Sequence, residues 1–136
     1  MHHGVDGTLE RLLRPKVVAV VGASANRNAK GNAAIRNLLA ADYSGELHVV
    51  HHTADAIEGI PPVRTVGSLP RDVDVALVSV PASGVLSVVE ELAGIGCGAA
   101  VVPSVGMSSA DLDRLAGLAR ASGMAIHGPN CMGVVN

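Results

Sequence analysis

The sequence has no tryptophan and no phenylalanine, and Tyr43 is its only tyrosine. A platform for single-stranded nucleic acid stacks bases on aromatic rings, so that function class is excluded, and an adenine bound here has to lie between aliphatic walls. Neither sign of charge prevails: 10 basic and 12 acidic residues are scattered without blocks and leave a formal net charge of −2. That gives no electrostatic footprint for a nucleic acid or an anionic membrane, and a small ligand is the expected partner. No apolar run nears the roughly 18 residues that span a bilayer, and Met1-His2-His3-Gly4 lacks the apolar stretch of a signal peptide, which predicts a cytoplasmic protein. Cysteine is scarce too: Cys97 and Cys131 have no CxxC spacing and are expected as free thiols. Of the six histidines, His2 and His3 lie at the terminus and His51-His52 are expected on opposite faces of a strand. The three or four convergent ligands of a zinc site are therefore not expected.

What is present is an aliphatic core. Hydrophobic residues make up 49% of 136 positions, enough for one domain of ordinary size, and Ala, Val, Gly and Leu supply that core almost alone. Lys16–Val21 is an unbroken, mostly β-branched run without polar alternation, as in a parallel strand buried on both faces. After a polar loop, Ile35, Leu38 and Leu39 fall at i, i+3 and i+4 and predict an amphipathic helix over Ala33–Ala40, closing near Tyr43-Ser44-Gly45. Further strands are predicted at Glu46–His51, Asp74–Val80, Ala99–Val102 and Met124–His127, with a short one possible at Val63–Val66. Two more helices are expected between them. One is capped by Ser83, carries Val85, Val88, Val89 and Leu92, and stops at Gly96. The other opens on the capping-box-like Ser108-Ser109-Ala110-Asp111, carries Leu112, Leu115, Leu118 and Ala119, and stops at Gly123. The alternation spells an α/β fold: a Rossmann-like, doubly wound parallel sheet of about five strands with helices on both faces.

In such a sheet the ligand crevice lies beyond the carboxyl ends of the strands, where the chain order reverses. The loop Gly22-Ala23-Ser24-Ala25-Asn26-Arg27-Asn28-Ala29-Lys30-Gly31 leads a strand into a helix N-terminus, whose free N–H groups can hold a phosphate. It is neither the GxGxxG dinucleotide fingerprint nor a Walker loop, and a plain strand–helix turn is the competing reading. A dinucleotide dehydrogenase carries Asp or Glu at the end of its second strand, whereas this one runs into His51-His52-Thr53. That end favours a phosphorylated ribose, the 3′-phosphate of coenzyme A or the 2′-phosphate of NADP, over NAD, although Asp55 follows closely.

Three stretches together carry a family resemblance: Leu12-Leu13-Arg14-Pro15-Lys16-Val17-Val18-Ala19-Val20-Val21-Gly22-Ala23-Ser24, Val78-Ser79-Val80-Pro81-Ala82, and Gly128-Pro129-Asn130-Cys131-Met132-Gly133-Val134-Val135-Asn136. In order and spacing they resemble the N-terminal coenzyme A-binding domain of ADP-forming acetyl-CoA synthetases, which shares its plan with the alpha subunit of succinyl-CoA synthetase. The resemblance runs from about Leu12 to Asn136, with residues 1–11 expected as a loosely packed N-terminus. It implies that Gly22, Ala23, Ser24, Ala25 and Asn26 hold the CoA phosphates and that Val80, Pro81 and Ala82 line the adenosine or pantetheine side. It also implies that the Pro103-Ser104-Val105-Gly106 turn contacts CoA and that Pro129 and Asn130 face the acyl-transfer centre. Cys131 reads as a packed turn residue and not a nucleophile, since no base is spaced to activate it. His127 reads as a strand-end filler.

Where relatives carry Val-Asn-Pro-Lys after the second strand, this chain reads Val50-His51-His52-Thr53. Loss of one exposed charge-assisted contact costs about 1–2 kcal/mol, about tenfold in affinity, and Lys30 or Arg27 can compensate. The family reaction passes through an acyl phosphate and a phosphohistidine, both served by ligase and ATP-grasp domains without counterpart in these residues. The chain is therefore expected to be a piece of a longer synthetase, not catalytic alone. A coenzyme A or acyl-CoA sensor, a domain fused to a lysine acetyltransferase, and an NADP-binding redox module are the alternatives.

Overall fold

The computed structural model of the chain describes residues 10–25 and 29–129. Five strands, β1 (Val17–Val21), β2 (Glu46–Val50), β3 (Val75–Val78), β4 (Ala99–Val101) and β5 (Ala125–His127), form one parallel sheet in the order β2-β1-β3-β4-β5. Three helices, α1 (Lys30–Ala40), α2 (Ala82–Gly94) and α3 (Ser109–Ser122), supply three of the four crossovers, and the connection from β2 to β3 is a loop. All five residues of β1 are buried, because it is a central strand covered on both faces, and this is why its sequence shows no alternation. Val17, Ala19 and Val21 face a core shared with Val85, Val89 and Leu92 of α2 and Leu115 of α3. Val20 faces the opposite core with Ile35 of α1, Val49 and Ile57. The expected doubly wound α/β class is what the chain adopts.

Several boundaries differ from the sequence reading. The strands are one to three residues shorter than the apolar runs: β2, β3 and β4 stop before the carboxyl-end loops, and β1, β3 and β5 start one residue late. No strand forms over Val63–Val66: Val63 makes a single parallel bridge to Val50, and Val66–Ser68 closes a 3₁₀ turn, braced by a 2.9 Å hydrogen bond between the Thr65 and Ser68 hydroxyls. Pro61 and Pro62 before it and that turn after it leave room for one pair only. Ser83 is not the cap of α2. Pro81 takes that position with extended backbone (ψ 153°), the helix starts at Ala82, and no side chain caps it. By contrast Ser108 does cap α3, its Oγ accepting from Asp111 N–H at 3.1 Å, and Gly123 ends that helix in the left-handed region at φ 74°. His51 and His52 lie beyond the end of β2, so strand alternation does not separate them, and their rings stack with centroids 5.0 Å apart.

The amino ends of the strands are tied together by Asp74. Its Oδ2 accepts from Lys16 N–H (2.8 Å) and Val17 N–H (3.1 Å), and its Oδ1 pairs with Arg11 Nε at 2.8 Å. Arg11 also donates to the Val73 carbonyl at 2.7 Å. The packed structure thus reaches back into the stretch expected to be loose. Burial raises the Asp74 carboxyl, but the hydrogen bonds from Arg11, Lys16 and Val17 outweigh it and hold the group below its ordinary value. Cys97 is buried and free, with its thiol donating to the Ala99 carbonyl, and burial pushes that thiol up. Cys131 lies outside the described residues. No helix among those residues is long and apolar enough to cross a membrane, and no group of three potential metal ligands occurs among them.

Candidate functional site

The order β2-β1-β3-β4-β5 reverses direction between β1 and β3, because the chain leaves β1 toward β2 on one side and returns to build β3, β4 and β5 on the other. Connections diverge at that point and open a crevice at the carboxyl edge. A cavity of about 230 Å³ lies there, lined by Lys30, Ser79, Val80, Pro81, Ala82, Pro103, Ser104 and Val105. Three loops widely separated in sequence meet in it, and of the residues expected at the site Lys30, Val80-Pro81-Ala82 and Pro103-Ser104-Val105 are brought together. Its walls are aliphatic, with Lys30 the one charged side chain among those lining residues.

Local sequence explains how the walls stand. Gly22 ends β1 at φ 110°, and a Cβ there would come within 2.1 Å of the Ser79 carbonyl oxygen, so only glycine lets the exits of β1 and β3 close on each other. Gly31 has the same kind of role. A Cβ on it would meet Ala23 N at 3.0 Å, so its absence lets the loop after β1 rest on the first turn of α1. Ser104 Oγ donates a hydrogen bond to the Val80 carbonyl, joining the exits of β3 and β4 across the cavity.

The helices that begin at this edge are electrostatically distinctive. Among the described residues neither α1 nor α2 has a side-chain cap or an acidic residue in its first turn, and their N-cap residues, Ala29 and Pro81, cannot supply one. The amino end of α3, by contrast, is closed by Ser108 and carries Asp111. Uncapped helix amino ends present N–H groups and the positive pole of the helix dipole. Lys30, the first residue of α1, adds a full charge, and no salt bridge to it occurs among the described residues.

The remaining expected residues fall elsewhere. Ala23 is buried in the α1-side core, Ala25 is exposed, and Asn26 and Arg27 lie outside the described residues. Ser24 is held by its backbone: its N–H donates to Asn32 Oδ1 at 2.8 Å and its carbonyl accepts from Asn32 Nδ2 at 2.7 Å. His51 and Thr53 sit on the loop after β2, outside the cavity lining. His51 Nδ1 accepts from the N–H groups of Thr53 (3.2 Å) and Ala54 (2.9 Å), which commits that nitrogen to the turn and leaves the Thr53 side chain exposed. Gly106, at φ 89°, follows the lining residue Val105. Pro129 lines a different, apolar groove between α3 and β5 with Leu112, Leu115 and Ile126, and Asn130 lies outside the described residues.

Sequence reasoning missed Ser79, although it stands inside the stretch Val78–Ala82 that carries the resemblance, and it missed Asn32, Arg36 and Glu58. Asn32 had a signal. It lies three residues before Ile35 on the face of α1 that packs inward, and a polar side chain on such a face needs partners.

A family model described as a CoA binding domain matches residues 16–136. A trans-feruloyl-CoA synthase from an unknown prokaryotic organism is 40% identical over 94% of this chain, and an ADP-forming acetate–CoA ligase I of Archaeoglobus fulgidus is 37% identical over the same share. The chain spans 19% of the length of each of these curated relatives. Among solved structures, an acetyl-coenzyme A synthetase 1 of Candidatus Korarchaeum cryptofilum, in complex with phosphate and ADP, superposes with a TM-score of 0.87 at 36% identity, covering 92% of this chain and 28% of its own. The chain belongs to the CoA binding domain family, and its cofactor is coenzyme A.

Proposed function

We propose that the crevice between the β1 and β3 exits is the coenzyme A site, and that the chain is the nucleotide-carrying module of a nucleoside-diphosphate-forming acyl-CoA synthetase. The observation that carries the placement is the convergence of two uncapped helix amino ends and Lys30 on one aliphatic cavity. Coenzyme A carries a pyrophosphate, a ribose 3′-phosphate, an adenine and an apolar pantetheine arm. Phosphates belong at uncapped helix amino ends, where the N–H groups and dipole receive negative charge. The adenine or the pantetheine arm then lies against Val80, Pro81, Ala82, Pro103 and Val105. At about 230 Å³ the cavity is smaller than the roughly 300–1,000 Å³ of a site for a whole drug-sized ligand, so it takes one portion of the cofactor while the rest lies along the edge. In this reading Gly22, Ala23, Ser24, Ala25, Asn26 and Arg27 frame the phosphates, with Gly106 at the rim. His51 and Thr53 approach the 3′-phosphate, and Pro129 and Asn130 point toward the acyl-transfer centre.

The chain's own contribution to acid–thiol ligation is to bind and orient the thiol donor. Coenzyme A itself supplies the thiol that accepts the acyl group. Activation of the acid falls to ligase and ATP-grasp segments elsewhere in the synthetase, in keeping with the 19% share that the chain has of its relatives' length. We place the protein in the cytoplasm, with no nucleic-acid partner. Calorimetry with CoA, dephospho-CoA and NADP side by side is the test. Binding of CoA with weaker binding of dephospho-CoA supports the assignment. NADP binding as tightly as CoA overturns it in favour of a redox module, and no binding of CoA overturns it outright.

A further inference from the structure

Asn32 is the one fully buried polar side chain among the described residues, 1% exposed, and its amide is almost completely used. Oδ1 accepts from Ser24 N–H, one Nδ2 hydrogen goes to the Ser24 carbonyl, and Nδ2 also donates to Glu58 Oε2 at 3.1 Å. Two antiparallel hydrogen bonds to one residue's backbone are what a neighbouring strand would supply, so Asn32 acts as a one-residue strand partner for the loop after β1. Glu58 reaches it from the loop after β2, with its own backbone in the left-handed region at φ 50° and its carboxylate largely buried. Arg36, one turn along α1, donates to the same Oε2 at 3.1 Å.

The chemistry of the three side chains makes the arrangement directional. An ionised carboxylate only accepts, so Glu58 requires the NH₂ end of the Asn32 amide to face it. With that orientation set, Oδ1 is the end left for Ser24 N–H. Arg36 neutralises the carboxylate, which otherwise would be a largely buried charge at the back of a loop that, in the function proposed above, faces phosphates. We propose that Asn32, oriented by Glu58 and Arg36, is the positioning residue that holds the loop of residues 22–25 in the shape that receives the coenzyme A phosphates, and that it couples this loop to the loop after β2. This rests on the coenzyme A assignment. A corollary is that the Ser24 N–H is committed to Asn32, so the loop recognises phosphate through other groups, with Ser24 fixing its path.

The test compares Asn32→Ala, Asn32→Asp, Glu58→Gln and the double variant Asn32→Asp/Glu58→Gln with the parent chain, by calorimetry with CoA and dephospho-CoA, with folding followed by circular dichroism. Asn32→Ala is expected to lose at least about tenfold in affinity for both ligands while remaining folded, since both carry the pyrophosphate. Asn32→Asp places two carboxylates together and turns an acceptor toward the Ser24 carbonyl, so it should bind at least as poorly. In the double variant the amide introduced at position 58 can donate to the carboxylate introduced at position 32, and recovery of threefold or more over Asn32→Asp is expected. A role confined to stability would not produce that recovery of affinity among folded variants. If the parent binds CoA and a folded Asn32→Ala binds equally well, the positioning role is overturned while the coenzyme A assignment stands. If Asn32→Ala does not fold, the isosteric Asn32→Asp decides: parent-like affinity, or no recovery in the double variant, overturns the proposal. If the parent chain does not bind CoA, the assignment itself fails, and the inference with it.

Discussion

Gly22 shows how one residue type can be fixed by packing and by function at the same place. At the residue scale the loop after β1 reads as a phosphate cradle whose small residues let a ligand approach, yet the closest approach at Gly22 is made by the protein itself, by the Ser79 carbonyl. Gly22→Ala must therefore fail before any ligand is added: φ 110° is strained for an L side chain, and the new Cβ overlaps backbone, which cannot move as a rotamer does. We expect a loss of about 3–5 kcal/mol, read as a lowered urea midpoint with unchanged slope. Near-parent stability would mean that the exits of β1 and β3 do not close on each other as described. Thr53 is the opposite kind of position. Its side chain is exposed while its N–H is held by His51, so the side chain can change without disturbing the turn. If this loop faces the 3′-phosphate, Thr53→Lys should tighten CoA by a few-fold to about tenfold, the scale of a partly screened ion pair, and the gain should shrink in high salt. Dephospho-CoA should gain less. Calorimetry of both ligands at low and high ionic strength checks it, and no gain for either at low salt would remove this loop from the site.

At the scale of elements, Asp74 sets the alignment of β1 against β3 and holds Arg11 beneath them. A carboxyl held below its ordinary value binds its proton more weakly in the folded chain than in the unfolded one. Its stabilising contribution is therefore present above the unfolded value of roughly 4 and is lost as pH falls through the lower folded value. Asp74→Asn should cost about 1.5–3 kcal/mol at pH 7, the scale of hydrogen bonds to charged groups, and the urea curves of parent and variant should converge as the pH falls below the unfolded value. A gap that stays constant with pH would show that the charge contributes nothing. The elements themselves were largely legible from sequence. Runs such as Val17–Val21 and Ala99–Val101 can be buried on both faces only in a covered parallel sheet, and Ser108, Gly96 and Gly123 marked helix ends by local chemistry alone. The start of α2 was not legible, because Ser83 and Pro81 both suit a helix start and the choice depends on where β3 delivers the chain. Val63–Val66 failed for a related reason. β-branched composition describes a strand, but two prolines and a 3₁₀ turn limit it to one pair.

For the whole molecule, the switch point followed from topology, and it gathers Lys30, Val80-Pro81-Ala82 and Pro103-Ser104-Val105 around one cavity from positions up to 75 residues apart. The support behind the site was not legible, because Asn32, Arg36 and Glu58 acquire their meaning only when two separate loops are folded together. Pro129 shows the converse: its motif is legible, yet it lines another groove, so its proposed place near the acyl-transfer centre depends on the rest of the synthetase. A domain whose site is built within its own sheet, between β1, β3 and β4, should bind its cofactor without those other parts. Ligand that binds only the folded chain stabilises it by mass action, about 2.7 kcal/mol at a hundred times the dissociation constant. For a domain of this size that corresponds to a rise in melting temperature of roughly 8–10 °C. Differential scanning calorimetry of the chain with CoA and with NADP at matched concentrations checks this. We expect the shift with CoA to grow logarithmically with concentration and to exceed that with NADP. Absence of a shift at millimolar CoA would overturn the placement of the coenzyme A site in this crevice, and equal shifts with both nucleotides would favour the redox module over it.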